Sequence, residues 1–213
     1  MEPTEFFEEE ARRCGYRLVA GLDEAGRGPL AGPVVAAAVL LPRRFRLPGL
    51  NDSKQVGESQ RERLAEEISR RATGVGIGLA SPGEIDAMNI LEASRLAMVR
   101  ALQALVPCPE FLLTDAVILP TVRLPQRAII KGDALCLSIA AASIMAKVTR
   151  DRLMRDYHRR YPRYNFDVHK GYPTPEHLAL LARYGPSVIH RRTFRPVQAV
   201  LALQGAVTAG SGV

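Results

Sequence analysis

The chain has no tryptophan, and its six phenylalanines and six tyrosines make up only 6% of 213 residues, so the core is expected to be aliphatic. Its three cysteines, Cys14, Cys108 and Cys136, are odd in number, lack CxxC spacing and lie in or beside apolar segments. That pattern argues against a disulfide framework and a zinc site, and predicts buried free thiols in a reducing compartment. No uninterrupted apolar run approaches the roughly 20 residues that span a bilayer. Thr4 to Arg13 is acidic and then basic, unlike the apolar start of a signal peptide. A soluble, cytoplasmic protein with no membrane association is expected.

What is present suits one globular domain, since 213 residues can bury a sizeable core and two independent domains are not expected. Hydrophobic residues are 47% and charged residues 24% of the chain, which excludes a disordered polyelectrolyte. The formal charge of +7 and a pI near 9.7 point to a polyanionic partner such as nucleic acid, although many basic proteins bind none.

Thr4 to Cys14 reads as a short helix with Thr4 as N-cap, early acids and late arginines. Two apolar runs, Tyr16 to Leu22 and Pro33 to Leu41, read as buried strands joined by the turn DEAGRGPLAG, though the alanines of the second weaken that reading. A surface helix is predicted over Glu58 to Arg71, with Leu64 and Ile68 on one face. Val75 to Ala80 reads as a strand, Ser81 to Gly83 as a turn, and Ile90 to Leu105 as a helix. Phe111 to Asp115 and Arg127 to Ile130 are two more strands. From Ala134 the pattern becomes helical: an apolar stretch through Lys147, a basic one through Arg160, and a third from Pro175 to Tyr184. The expected fold is an α/β sheet with a helical C-terminal portion, a single domain over residues 1–205 and a flexible tail at 206–213.

Asp23 and Glu24 stand at the end of an apolar strand, where a buried carboxylate is costly unless paired or metal-bound. A structural reading makes them turn residues paired with Arg27. A functional reading makes them ligands for Mg²⁺ or Mn²⁺, which favour carboxylate oxygens. Because neighbouring strand side chains face opposite ways, both serve one cluster only if the strand ends or bulges there. A dinucleotide-binding loop is disfavoured: Gly26, Gly28 and Gly32 are spaced GxGxxxG, and a strand follows where that fingerprint needs a helix. Glycines flanking Arg27 instead suit close approach of a nucleic-acid backbone.

Two further acids stand out. Asp115 ends FLLTD, and Asp151 follows SIAAASIMAKVTR. Taken singly, each also suits a cap, turn or ion pair. On one helix Ser143, Lys147 and Asp151 fall at i, i+4 and i+8, a polar stripe that either carries a ligand and phosphate contacts or is a solvated face.

Across these segments the chain resembles bacterial ribonuclease HII, of the type 2 ribonuclease H family. The resemblance rests on LDEAGRGPLAGPV at 22–34, NDSK at 51–54, KGD at 131–133, SIAAASIMAKVTRD at 138–151, HKGYPTPEH at 169–177 and HRRTFRPV at 190–197. It implies a ribonuclease H-like mixed five-stranded sheet flanked by helices. It also implies four metal-binding catalytic acids, which fall on Asp23, Glu24, Asp115 and Asp151. The family's junction-reading glycine-arginine-glycine element matches Gly26, Arg27 and Gly28, and its junction-sensing tyrosine matches Tyr172, for which packing on Pro173 and Pro175 is the structural alternative. Ala116 and Asn165 stand where glycine is expected, which touches loop geometry and no ligand.

The implied activity is two-metal-ion hydrolysis of the RNA strand of RNA/DNA hybrids, and cutting 5′ of ribonucleotides embedded in duplex DNA, leaving 3′-hydroxyl and 5′-phosphate ends. Asp23 is expected between two divalent ions, Mg²⁺ or Mn²⁺, with Arg27, Lys54, Ser143 and Lys147 on phosphates. The 2′-hydroxyl, not base sequence, is the expected discriminator. Arg150, Arg152, Arg155, Arg159, Arg160 and Arg163 are expected to grip the duplex, or to form a solvated basic face. A monomer is expected, and recruitment by a replication clamp is left open. The rivals are a non-catalytic hybrid-binding module, which has no need of four acids, and a nuclease or transferase acting on DNA alone.

Overall fold

The computed structural model describes residues 2–53 and 55–210, with the side chains of 205–210 excepted. The chain divides into two compact units. The first comprises Met1–Ala25, Val35–Leu79 and Ser94–Thr149, and the second Gly26–Val34, Ala80–Ala93 and Arg150–Val213. No helix among the described residues is long and apolar enough to cross a membrane.

The first unit is built on a five-stranded sheet of order β3-β2-β1-β4-β5, formed by β1 (Val19–Ala25), β2 (Val34–Leu40), β3 (Gly74–Ala80), β4 (Phe111–Asp115) and β5 (Gln126–Ile129). β1 pairs antiparallel with β2 and parallel with β4, and β4 is parallel to β5, giving the mixed sheet expected from the sequence. Every residue of β2 is buried. Its alanines, which look poor for a strand, match those of a long helix, α6 (Leu137–Arg160): Ala37 lies in one core cluster with Ala140, Ala141 and Ala142. Small side chains let backbones approach closely, and Gly21 of β1 shows how closely. A Cβ there would stand 2.2 Å from the main chain of Ser138.

Helix α1 (Phe6–Arg13) starts after Glu5 without a side-chain cap. Thr4, expected as that cap, instead forms a bridge with Cys136, its N–H donating to the Leu135 carbonyl at 3.0 Å. From α1 the buried Glu8 reaches the start of α6, accepting from the Ser138 N–H at 2.7 Å and thereby satisfying a helix-end donor. Cys136 is buried beside it; Cys14 and Cys108, expected to be buried, are exposed, at the end of α1 and in the loop before β4. All three are free thiols. Helix α2 (Glu58–Arg71) has the predicted bounds and buries Leu64, Ala65 and Ile68 in the core of Phe45 and Val39. Truncating Ile68 to alanine there would cost about 2–5 kcal/mol.

Ser81 to Gly83 is not a free turn. Ser81 and Glu84 form a capping box that opens α3 (Pro82–Met88), with proline at its first position. Helix α4 (Ile90–Ala104) follows, and a four-residue turn, α5 (Gly132–Leu135), precedes α6. The apolar and basic stretches after Ala134 thus join mostly into one 24-residue helix. The second unit contains α7 (Phe166–His169), α8 (Pro175–Tyr184) and α9 (Arg195–Gly210). Thr174 caps α8, its hydroxyl accepting from the His177 N–H. The tail expected to be flexible from 206 is helical through Gly210, continuing a helix whose Val197 is buried with Leu30 and Leu181. Residues 211–213 lie outside the described residues.

Candidate active site

Asp23 sits on the central strand β1, paired opposite Ala37 of β2. In the neighbouring register Leu22 lies beside Thr114, so the strand ends bring Asp23 alongside Asp115, the last residue of β4. A third acid arrives by a turn. After β5, Lys131 takes a left-handed conformation with φ 56°, and the Gly132 N–H donates to Asp115 Oδ1 at 2.8 Å, which places Asp133 at the start of α5. Oxygens of Asp23, Asp115 and Asp133 all lie within 4.8 Å of one another. Asp133 belongs to the KGD motif, yet nothing in linear spacing ties it to Asp115; the signal was an acid directly following a turn glycine.

β1 remains regular through Ala25, which pairs with Val35, so no bulge turns Glu24 towards the face of Asp23. Glu24 stands outside the three-acid group, although its N–H donates to Asp23 Oδ1 at 2.7 Å. Asp151, expected as the fourth acid, is also outside that group. It is a buried residue of α6 that belongs to the second unit. Burial, then the Glu24 and Asp115 carboxylates, hold the Asp23 carboxyl well above the ordinary carboxylate range. The Ser143 hydroxyl opposes this by hydrogen bonding to Asp23, and lies 3.0 Å from the Ser53 hydroxyl. Ser143 is buried, which suits support of Asp23 better than contact with a phosphate. Lys147 is half-buried one helical turn further along α6, and Lys54 lies outside the described residues.

The fit to a divalent cation follows from this donor set. Two buried carboxylates and the half-buried Asp115 are crowded together, every candidate ligand atom is a hard oxygen, and a bound cation would offset both the burial and the like charge that raise Asp23.

In the second unit the loop after β1 carries Gly26, Arg27 and Gly28. Gly26 has φ +97°, and a Cβ there would lie 2.1 Å from Nε of Arg150, so only glycine passes beneath that guanidinium. Arg150 is fully buried. It donates to the carbonyls of Pro33 at 3.1 Å, Ala31 at 3.1 Å and Lys170 at 3.0 Å, and therefore does not grip a duplex as expected. Arg191, equally buried, donates to the carbonyls of Gly26, Arg27 and Gly32. Sequence gave no sign that two arginines would be spent on one loop. Arg152, Arg159, Arg160 and Arg163 are exposed as expected, and Arg155 is half-buried. Tyr172 is 39% exposed, and its Cε1 lies 3.8 Å from the position a Gly28 Cβ would take, so the structure brings the loop glycine and the aromatic ring together.

The mixed sheet and its grouped carboxylates define a ribonuclease H-like, metal-dependent hydrolase. The ribonuclease HII family model matches residues 20–197, and the chain belongs to the ribonuclease HII family. Ribonuclease HII of Desulfitobacterium hafniense is 58% identical over 184 residues, covering 86% of this chain and 71% of the relative. The ribonuclease H2 structure from Pyrococcus horikoshii superposes with a TM-score of 0.75 at 30% identity, covering 88% of this chain and 98% of that one. Ribonuclease HII of Archaeoglobus fulgidus, solved as a complex with PCNA, gives 0.68 at 29% identity, covering 82% and 92%. Family membership supports endoribonuclease action on RNA/DNA hybrids, dependent on a divalent metal.

Proposed function

We propose that the chain cuts the RNA strand of RNA/DNA hybrids and also incises duplex DNA 5′ of an embedded ribonucleotide, leaving 3′-hydroxyl and 5′-phosphate ends. The observation that carries this reading is the grouping of Asp23, Asp115 and Asp133 within 4.8 Å. We assign these three as metal ligands that would hold the divalent ions, with Glu24, whose charge is felt at Asp23, beside them and outside the ligand group. Asp133 takes the fourth place that the sequence suggested for Asp151. Two ions, Mg²⁺ or Mn²⁺, supply activation of a water, neutralisation of phosphoryl charge and stabilisation of the leaving oxygen.

The remaining work falls to the protein. Main-chain groups of Gly26 and Gly28 test for the 2′-hydroxyl, the group that separates ribose from deoxyribose. Arg27 and Lys147 hold phosphates as long-range cations, with Lys54 assigned the same role from its motif. The exposed Tyr172 ring stacks on the sugar that lacks a 2′-hydroxyl, next to Gly28. The exposed arginines of α6 supply sequence-independent grip. The protein is taken to act as a cytoplasmic monomer, where its free cysteines stay reduced.

The test is cleavage of a DNA duplex holding one ribonucleotide, with Mg²⁺ or Mn²⁺, by the unsubstituted chain, Asp23→Asn, Asp133→Asn and Asp151→Asn. Loss of cutting by the first two with folding intact is expected. Full activity of Asp133→Asn with loss in Asp151→Asn would return the fourth place to Asp151. An all-DNA duplex should stay intact.

A further inference from the structure

Three histidines of the second unit, His169, His177 and His190, are buried, and His177 reaches the Tyr172 carbonyl. The rings of His169 and His177 stack with centroids 4.3 Å apart, and His177 Nε2 meets His190 Nε2 at 3.1 Å. Their other partners determine where each proton sits. The Ser187 N–H donates to His190 Nδ1 at 3.0 Å, so that nitrogen is bare and the proton lies on Nε2. It is then donated to a bare Nε2 of His177, whose own proton lies on Nδ1 and is donated to the Tyr172 carbonyl at 2.9 Å. The Gly171 N–H likewise donates to His169 Nδ1 at 3.1 Å, leaving His169 Nε2–H to donate to the Tyr164 carbonyl at 2.7 Å. The Tyr172 N–H donates to the His169 carbonyl at 2.9 Å.

One arrangement of three protons therefore satisfies every partner. A fourth proton on His177 Nε2 or on His169 Nδ1 would set two donors head to head, and one on His190 Nδ1 would displace the Ser187 N–H and leave only the Ser187 hydroxyl, 2.8 Å away, to accept it. Packing against Phe166 and Tyr164 keeps water from offering another partner, and the nearby carboxylates, Glu176 and Asp167, favour protonation less than burial opposes it. The run of ring protons from His190 through His177 ends on the Tyr172 carbonyl, which also accepts from the Thr174 N–H at 2.8 Å, while the neighbouring Gly171, with φ +83°, donates to the His169 ring. The exposed Tyr172 ring thus springs from a hydrogen-bonded backbone, with the buried Arg150 guanidinium 5.8 Å from its centroid.

We propose that His177, fixed in its Nδ1–H form by His190, is a positioning residue that orients Tyr172 for discrimination of the ribose–deoxyribose junction. This rests on the reading of Tyr172 given above. Two measurements test it. In ¹⁵N NMR of histidine-labelled protein, His177 should show the Nδ1–H tautomer at neutral pH, and His169 and His190 the Nε2–H tautomer. In cleavage, His177→Leu should lose on the order of tenfold in kcat/KM on a single-ribonucleotide duplex, the scale of one lost buried hydrogen bond. A uniform RNA/DNA hybrid should be cut nearly as before, and His177→Asn, which restores a donor to the Tyr172 carbonyl, should recover part of the loss. A charged or Nε2-protonated His177, or equal losses on both substrates, overturns the proposal, and the NMR arm stands even where a variant fails to fold. Tyr172→Ala cutting both substrates unchanged would instead remove the reading on which it rests.

Discussion

The Arg191 guanidinium donates to the Gly26 carbonyl at 2.6 Å and to the Arg27 carbonyl at 3.0 Å, so a buried side chain far along the sequence holds the loop that should judge the sugar. A lysine there keeps the charge but cannot reach three carbonyls with a planar fork. Arg191→Lys is expected to lose about 2–4 kcal/mol in urea melts, since buried acceptors are left unmet. It should also cut a single-ribonucleotide duplex less selectively against all-DNA. An unchanged melt would show that the loop needs no such clamp.

Ala116 and Asn165, the two departures from the family's glycines, both adopt left-handed backbone, with φ 53° and 51°. Alanine is strained there, by about 1–2 kcal/mol. Ala116→Gly, after the entropy glycine adds to the unfolded chain, should stabilise by about 0.5–1 kcal/mol. Asn165→Gly should gain less, because the Asn165 amide donates to Glu176 at 2.7 Å. Thermal melts of the two variants check the order.

Asp23 is raised by burial and by like charge, so in the absence of ions its ionisation opposes folding. The sign follows: the penalty is absent below the unfolded carboxylate pKa near 4 and grows as pH rises towards the raised folded value. Asp23→Asn should therefore melt higher than the unsubstituted chain at pH 7–8 without divalent ions. It should gain nothing when Mg²⁺ or Mn²⁺ is added, whereas the unsubstituted chain gains in proportion to ion binding. Equal ion-induced shifts in both would exclude Asp23 as a ligand.

Burial pushes His177 down to about 4, and burial with the neighbouring His177 pushes His190 down to about 3. Depressed folded values mean that the unfolded chain takes up protons first, near its ordinary pKa of about 6.5. Stability should be flat above that pH and fall steadily from about 6.5 towards 4. The Asp23→Asn background removes the opposing carboxylate contribution, and urea melts across that range should show the slope. A flat profile would contradict the neutral histidine chain.

Local pattern made several elements legible. The i, i+4 pair Leu64 and Ile68 marks α2, and the proline and capping threonine mark α8, because helix faces and caps depend only on near neighbours. The apolar run ending in Asp115 likewise reads as β4, and Asp23 is visible as an acid where a buried strand meets a glycine loop. By contrast, the buried guanidiniums of Arg150 and Arg191 read from sequence as basic surface, because an arginine's partners are chosen by packing and not by its neighbours in the chain.

The chain by itself marked Asp23 and Asp115 as acids at the ends of apolar strands, where turn, cap and metal-ligand roles all stay open, and only the resemblance of its motifs favoured ligands. Which acid joins them was decided by tertiary structure. Linear spacing puts Asp151 on a stripe with Ser143, but the left-handed turn at Lys131 and the Gly132 N–H on Asp115 bring oxygens of Asp133, Asp23 and Asp115 within 4.8 Å of one another. A ligand set is a relation of distances between strand ends and turns, and only the folded sheet supplies those distances.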